Sequence, residues 1–262
     1  MADPIGVVVC GATGRMGSET ALAVTRDVGL RLLGVVTRRG DAVTVGGTTT
    51  PAFSSLPGLL QQVHPRCVVD FTTSEVAVEH GRIALSRGLA FVTGTTGLSQ
   101  AALDELWRLA EQHGVGCVVA PNFAIGAVLA GHFATIAARH FAWAEVIELH
   151  HEQKADAPSG TALATARAMA AARGERFNET EVTKQTLPST RGGEVDGIHV
   201  HSVRLPGLVA HQEVLFGGQG EVLTIRHDSM NRGSFMPGVL LAIKQAADNP
   251  GYIFGMGPLL GL

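Results

Sequence analysis

Apolar and polar positions along the chain fall into two rhythms. Ile5 to Cys10, Leu30 to Thr37, Cys67 to Phe71, Leu89 to Thr93 and Val115 to Ala120 are short, almost unbroken apolar runs. Such runs predict strands buried on both faces. Between them lie helical stretches, roughly Arg15 to Val28, Ser74 to Arg87 and Ser99 to His113, with Ser74 and Ser99 as expected N-caps. Strand and helix in alternation predict an α/β, doubly wound parallel sheet. Gly46 to Pro57, rich in Gly, Thr, Ser and Pro, reads as a loop.

The second rhythm follows an apolar helix, Ile125 to His140. Val146-Ile147-Glu148-Leu149 reads as a strand, and Ser159 to Arg173 as an Ala-rich helix ended by Gly174. Asn178 to Asp196 is polar and reads as a long loop. Three strand candidates then come in succession: Gly197 to Leu205, Val209 to Phe216 and Glu221 to His227. Pro206-Gly207 and Gly217-Gly218 punctuate them, which predicts an antiparallel meander. With the strand before His150 they are expected to form one open sheet with helices on one face. Alternation places Ile198, Val200, Ser202 and Arg204 on one side and His199, His201 and Val203 on the other. The second face needs a cover, for which a ligand and a partner chain are the alternatives; homo-oligomerisation through this sheet is expected. A last helix, near Phe235 to Ala247, is expected to return to the first domain.

Chemistry concentrates between Glu145 and Thr161. The strand there delivers His150, His151 and Lys154, and the chain turns through Asp156, Ala157 and Pro158 into a helix that starts at Ser159. Groups able to carry positive charge thus precede a helix N-terminus, where the N–H groups of Gly160, Thr161 and Ala162 point the same way. Free N–H groups and the helix dipole favour an anion, and Gly160 has no side chain to keep it off the backbone. The pattern describes an anion pocket with proton donors beside it. A surface loop with incidental histidines is the plain alternative. A metal is disfavoured, because adjacent histidines on a strand face opposite ways and no Cys lies nearby.

At the other end, Ile5 to Cys10 runs into Gly11-Ala12-Thr13-Gly14-Arg15-Met16-Gly17. Gly11 allows a tight turn, Gly14 lets the backbone approach a pyrophosphate, and Gly17 lets helix and strand pack closely. The spacing GxxGxxG departs from the usual GxGxxG, and its weight comes from the strand before it and the helix after it. Sites that prefer NAD end the second strand with an acid. Here stand Thr37-Arg38-Arg39. Two guanidinium groups suit a 2′-phosphate, which favours NADPH, with NADH as the alternative. Ligands of such sheets bind at the carboxyl ends of strands. Thr72, Gly94-Thr95-Thr96 and Asn122-Phe123 are therefore expected to line one cofactor crevice.

Composition narrows the class. A chain of 262 residues with net charge −3 has no basic field for nucleic acid. Cys10, Cys67 and Cys117 sit beside apolar runs and form no CxxC pair, so they read as buried hydrophobes of a reducing compartment. There is no signal-peptide pattern and no apolar run of membrane-spanning length. A cytoplasmic protein is expected, with no repeats and no low-complexity tail.

Taken together, the motifs resemble the 4-hydroxy-tetrahydrodipicolinate reductase (dihydrodipicolinate reductase) family over nearly the whole chain. The resemblance rests on Glu148-Leu-His-His-Glu-Gln-Lys-Ala-Asp-Ala-Pro-Ser-Gly-Thr161, on Gly11 to Gly17, Asp70-Phe71-Thr72, Gly94 to Gly97 and Pro121-Asn122-Phe123, and on the His227 to Gly238 segment with Arg232 and Phe235. Ala120 to Gly126 and Val209 to Phe216 look like its actinobacterial branch. The resemblance implies a Rossmann-type dinucleotide-binding domain over residues 1–124, completed by 234–262. It implies an α+β substrate-binding and tetramerisation domain with an open mixed sheet over 125–233, and a homotetramer. The implied reaction reduces a dicarboxylate, 4-hydroxy-tetrahydrodipicolinate, with NAD(P)H on the route to diaminopimelate and lysine. By matching positions, His150 would be the acid/base residue and Lys154 the proton donor. His151, Gly160 and Thr161 would hold substrate. Gly11, Ala12, Thr13, Gly14, Arg15 and Met16, then Gly94, Thr95 and Thr96, then Ala120, Pro121, Asn122 and Phe123 would hold cofactor, with Arg38 and Arg39 as above. Two departures stand out: the family often has an acid where Arg38 stands, and many members carry His where Gln153 stands. Another Rossmann dehydrogenase of an amino acid or its semialdehyde would not need His-His-x-x-Lys. A non-catalytic NADP-binding sensor would lose the proton donors.

Overall fold

A computed structural model describes residues 3–262. The chain first builds β1 (Ile5–Cys10), α1 (Arg15–Arg26), β2 (Leu30–Val36), β3 (Val43–Val45), β4 (Thr48–Thr50), β5 (Ala52–Phe53) and α2 (Leu56–Leu60). It continues through β6 (Cys67–Asp70), α3 (Ser74–Leu85), β7 (Ala90–Thr93), α4 (Gln100–His113) and β8 (Gly116–Val119). Then come α5 (Ile125–Ala137), β9 (Trp143–His150), α6 (Gly160–Arg173), β10 (Gly193–Val195), β11 (Ile198–Arg204), β12 (Ala210–Gly218) and β13 (Glu221–Ser229). The chain closes with α7 (Met236–Asp248) and β14 (Gly251–Phe254).

Contacts divide the chain into two compact units, one running to Phe123 and resuming at Phe235–Leu262, the other Ala124–Ser234. The first holds a seven-stranded sheet in the order β14-β8-β7-β6-β1-β2-β5, with every pairing parallel. Its central strands are buried along nearly their whole length, which is why they read as unbroken apolar runs. Helices α2, α3 and α4 bury Leu56, Leu59, Leu85 and Leu106 against Val8, Val68 and Phe91 on one side. Helix α7 packs on β6, β7 and β8 and against α1, where Lys244 Nζ meets Asp27 Oδ2 at 2.7 Å. The strand order reverses between β1 and β6, the switch point at which such sheets bind ligands.

The second unit is a five-stranded mixed sheet, β10-β11-β9-β12-β13, with α5 and α6 on one face. Its core is Val146, Ile198, Val200, Val214 and Phe216 from the strands, with Ala162, Ala166 and Met169 from α6. The expected meander is corrected here. Strands β11 and β12 are not neighbours, because β9 lies between them, parallel to β11 and antiparallel to β12. The Pro206-Gly207 link therefore steps over the end of β9, where the Leu205 N–H donates to the His150 carbonyl at 3.1 Å.

Three further expectations change. The Gly46–Pro57 segment is not all loop: β3 and β4 pair across Gly46-Gly47, and β5 and α2 follow. Both turn glycines have positive φ, as a two-residue hairpin turn demands. Ser74 is the first residue of α3 and not its cap; Thr73 holds the cap position, and its side chain accepts no capping bond from the helix N–H groups. The Glu75 carboxylate gathers its own N–H and the Ser74 and Thr73 hydroxyls, and lies below the usual carboxylate range. The polar 178–196 stretch ends in β10, an edge strand on β11. Ser99 and Ser159 do cap their helices, accepting from the N–H groups of Ala102 and Ala162. The three cysteines are buried and unbridged. Among the described residues no helix is long and apolar enough to cross a membrane.

Candidate active site

In the first unit a cleft of about 540 Å³ opens at the switch point. Gly11, Thr13, Gly14, Thr37 and Arg38 line one side; Phe71, Thr72, Thr73, Val76 and His80 line the other, with Val36 and Ser54. Gly11 has φ +77°, and a Cβ there would stand 2.6 Å from the Phe71 carbonyl oxygen. A Cβ on Gly17 would stand 2.2 Å from the Gly11 carbonyl oxygen, so helix and turn pack closer than any side chain permits. The Ser18 N–H makes a helical bond to the Gly14 carbonyl, and the N–H groups before it open at the helix start.

The cleft's far wall hangs on one carboxylate. Asp70, fully buried at the end of β6, accepts from the Thr72 N–H (2.9 Å) and hydroxyl (2.7 Å), the Thr95 hydroxyl (3.3 Å) and His80 Nδ1 (2.6 Å). It thereby fixes the polar ends of β6 and β7 and the side chain of His80. Cys10 brings its sulfur into the same cluster. Burial and the Asp70 charge push the Cys10 thiol well up, so it stays protonated. Phe71 and Phe123 meet edge-on at 5.9 Å, and Gly94 is wedged against both rings.

The expected cofactor residues separate on this geometry. Gly11, Thr13, Gly14 and Arg38 reach the cleft. Thr95 and Phe123 join its wall through Asp70 and Phe71. Ala12 and Ala120 are buried, so any part in binding falls to their backbone. Arg15, Arg39, Thr96 and Pro121 are exposed, and Met16 and Asn122 are half-buried. Thr73 and His80 line the cleft without having been singled out in the sequence, where nothing distinguishes a helical His ten residues past a strand.

In the second unit β9 ends at the start of α6. The Glu148 side chain, fully buried, lies on the helix-facing side of β9 with Ala144 and Val146. His150 follows two residues later on the same side, and its Nδ1 meets Glu148 Oε2 at 2.5 Å. A carboxylate only accepts, so neutral His150 carries its proton on Nδ1, which leaves Nε2 as the acceptor nitrogen of the ring. Burial lowers the His150 pKa; Glu148 raises it, and Lys154 and Arg204 lower it again, leaving it below the usual histidine range. Lys154 Nζ pairs with Asp156 at 2.8 and 3.0 Å. The His151 carbonyl accepts from the Lys154 N–H, and the His151 ring is half-buried.

At the helix start Ser159 Oγ takes the Ala162 N–H at 3.2 Å. Ala162 is therefore removed from the expected anion-binding set, because its donor is spent on the cap and the residue is buried. Gly160 and Thr161 remain, both exposed. A Cβ on Gly160 would meet nothing within 4 Å. Arg204 was not singled out as a site residue. It forms a two-pronged pair with Glu148, Nη1 to Oε2 at 2.9 Å and Nη2 to Oε1 at 2.7 Å. The available signal was an acid inside an apolar run, Val146-Ile147-Glu148-Leu149; its partner depends on the β9–β11 register, which no local pattern encodes.

A parallel dinucleotide-type sheet with a glycine turn, joined in one chain to a unit holding a histidine, a lysine and an open helix N-terminus, fits the class of nucleotide-dependent oxidoreductases. Comparison with known proteins gives the particular family. The N-terminal family model of dihydrodipicolinate reductase matches residues 5–123 and the C-terminal model residues 126–260. A 4-hydroxy-tetrahydrodipicolinate reductase of Dehalococcoides mccartyi is 46% identical over 263 residues, with 99% of each chain covered. The protein of the same name from Moorella thermoacetica is 47% identical over 266 residues, again with 99% of each covered. The solved structure of dipicolinate-bound dihydrodipicolinate reductase from Paenisporosarcina sp. TG-14 matches at TM-score 0.87 and 41% identity, covering 97% of this chain and 99% of that one. The chain belongs to the dihydrodipicolinate reductase family, pyridine-nucleotide-dependent reductases of lysine and diaminopimelate biosynthesis.

Proposed function

We propose that the chain reduces 4-hydroxy-tetrahydrodipicolinate to tetrahydrodipicolinate with NADPH, taking up one proton and releasing water. The observation that carries this reading is the end of β9: His150 oriented through Nδ1, Lys154 one short loop on, and Gly160 open at the start of α6. One substrate carboxylate is held by the N–H groups of Gly160 and Thr161 with the Thr161 hydroxyl and His151. The dipicolinate in the Paenisporosarcina structure is a dicarboxylate of the same kind.

The nicotinamide supplies a hydride when bound. The negative charge left on the substrate ring is then neutralised by a proton from Lys154, with His150 as the acid/base group beside it. Lys154 pairs with Asp156, whose side chain is mostly exposed. The substrate's carboxylate takes over that partnership, which brings the ammonium to the reacting ring.

The cleft in the first unit fits the cofactor. Its glycine turn meets the start of α1, and Arg38 stands at the end of β2, where the ribose is read. Arg38 and Arg39 favour the 2′-phosphate of NADPH. Gly94 to Thr96 and Ala120 to Phe123 complete the nicotinamide end. We assign residues 1–124 with 234–262 to the cofactor and 125–233 to substrate and assembly. A homotetramer formed through the open face of the mixed sheet agrees with the exposure of Val222 on its edge strand. The test is consumption of NADPH, and separately NADH, with substrate made in place from pyruvate and aspartate semialdehyde by the upstream synthase. Consumption that needs every component supports the assignment. Its absence with both cofactors, beside a working reference reductase, removes it.

A further inference from the structure

We propose that Glu148 and Arg204 form the positioning pair of this site: one buried carboxylate fixes both the imidazole of His150 and the anion-binding start of α6, and Arg204 holds that carboxylate in place. The inference deepens the reading above and rests on it for the role of His150.

Each oxygen of Glu148 has its own task. Oε2 accepts from His150 Nδ1 at 2.5 Å, and Oε1 accepts from the Ser159 N–H at 3.2 Å. Ser159 is the cap of α6, immediately before Gly160 and Thr161. The proton-carrying ring and the carboxylate-gripping backbone are therefore tied to the same buried group, on the two sides of one side chain. Arg204 spans both oxygens and passes a further bond from Nη2 to the Asp156 carbonyl at 2.7 Å, fixing the loop between Lys154 and the helix.

A purely architectural role is the weaker account. Glu148 occupies the side of β9 on which Ala144 and Val146 pack against α6. An apolar side chain there would continue that core, and replacing a buried ion pair by apolar groups is commonly neutral or stabilising. The charged pair stands where the sheet meets the helix start, and its free valences go to His150 and Ser159. The charged groups facing His150 are Glu148 on its own strand, Arg204 on β11 and Lys154 on the following loop, with Asp156 behind the last two; across on β12 stands Ala210, which is neutral. Glu148 favours the imidazolium, and Arg204 and Lys154 oppose it.

The test uses the full chain with 15N-labelled histidine, titrated by NMR, with His150→Gln identifying the His150 signals. The proposal expects Nδ1-protonated His150 in the wild type, a midpoint moved to lower pH in Glu148→Gln, and a midpoint moved to higher pH in Arg204→Gln. Shifts of opposite sign support it; midpoints that stay put or move together overturn it. Should Glu148→Gln fail to fold, the sign in Arg204→Gln decides. In the synthase-coupled assay both variants are expected to lose kcat by about 10-fold or more while NADPH affinity holds. The titration needs no substrate, so it separates failure of this inference from failure of the reductase assignment, which the wild-type assay alone reports.

Discussion

Asp70 ends β6 in one unit and Glu148 lies two residues before the end of β9 in the other. Both side chains are fully buried, and each accepts from a histidine Nδ1, His80 at 2.6 Å and His150 at 2.5 Å. What surrounds them differs. Asp70 is otherwise satisfied by neutral donors, a backbone N–H and two threonine hydroxyls from the ends of β6 and β7. Glu148 meets a guanidinium. Burial alone would push its carboxyl up, and bonds from Arg204, Ser202 and His150 outweigh that and hold it below the usual range. On the proposed reading, the first arrangement orients neutral dipoles along the wall of the nucleotide cleft, and the second holds ionised groups still beside the place where a proton moves. If that contrast is right, damage to the first centre appears as lost cofactor affinity, and damage to the second as lost turnover.

The largest break falls on the second centre. Lys154→Ala is expected to lower kcat by roughly 10²–10⁴-fold, the usual scale for a general acid. NADPH affinity, read by nucleotide fluorescence, should stay within a factor of two or so. Undiminished turnover in that variant would remove Lys154 from the reaction.

Asp70→Ala strikes the first centre. It leaves the part-buried donors of Thr72 and the buried His80 without their acceptor, at about 1–3 kcal/mol. Thermal unfolding should drop by several degrees, and the KM for NADPH should rise while kcat at saturating cofactor holds. A fall in kcat with KM unchanged would break the contrast from this side. Arg38→Ala is smaller and more selective. A charged hydrogen bond to a 2′-phosphate is worth about 1.5–3 kcal/mol, so NADPH should lose about 10- to 100-fold in kcat/KM and NADH almost nothing. Equal losses with both would show that Arg38 does not read the phosphate.

How much of this the sequence carried depends on the range of the interaction. The parallel strands were legible because burial on both faces writes itself as an unbroken apolar run, as in Val7-Val8-Val9. The caps Ser99 and Ser159 and the stop at Gly174 are local chemistry and were legible as well. Short elements were not: β5 has two residues and β14 four, so each depends on a sheet edge offered from elsewhere. The order of the mixed sheet was misread for the same reason. Turn residues between β11 and β12 say that the chain reverses, not which strand lies beside it. At the site, residues adjacent in sequence were found and partners distant in sequence were not. His150 and Lys154 share one motif, whereas Arg204 reaches Glu148 across 56 positions.

The smallest effect separates two glycines. A Cβ on Gly17 would stand 2.2 Å from backbone, and one on Gly160 meets nothing within 4 Å. Gly17→Ala should therefore destabilise the first unit, by about 1–3 kcal/mol for an overpacked contact, and weaken NADPH with it. Gly160→Ala should leave the melting temperature unchanged or raise it slightly, since alanine restricts the unfolded chain more than glycine and favours a helix by up to about 1 kcal/mol. Its cost should appear only with substrate present. A methyl over the first turn of α6 crowds a carboxylate off the Gly160 and Thr161 N–H groups, so the substrate KM rises several-fold with NADPH affinity intact. Melting curves and a substrate titration on one preparation measure both signs. A destabilised Gly160→Ala would mean that the fold requires this glycine; unchanged substrate KM would mean that the anion is held elsewhere.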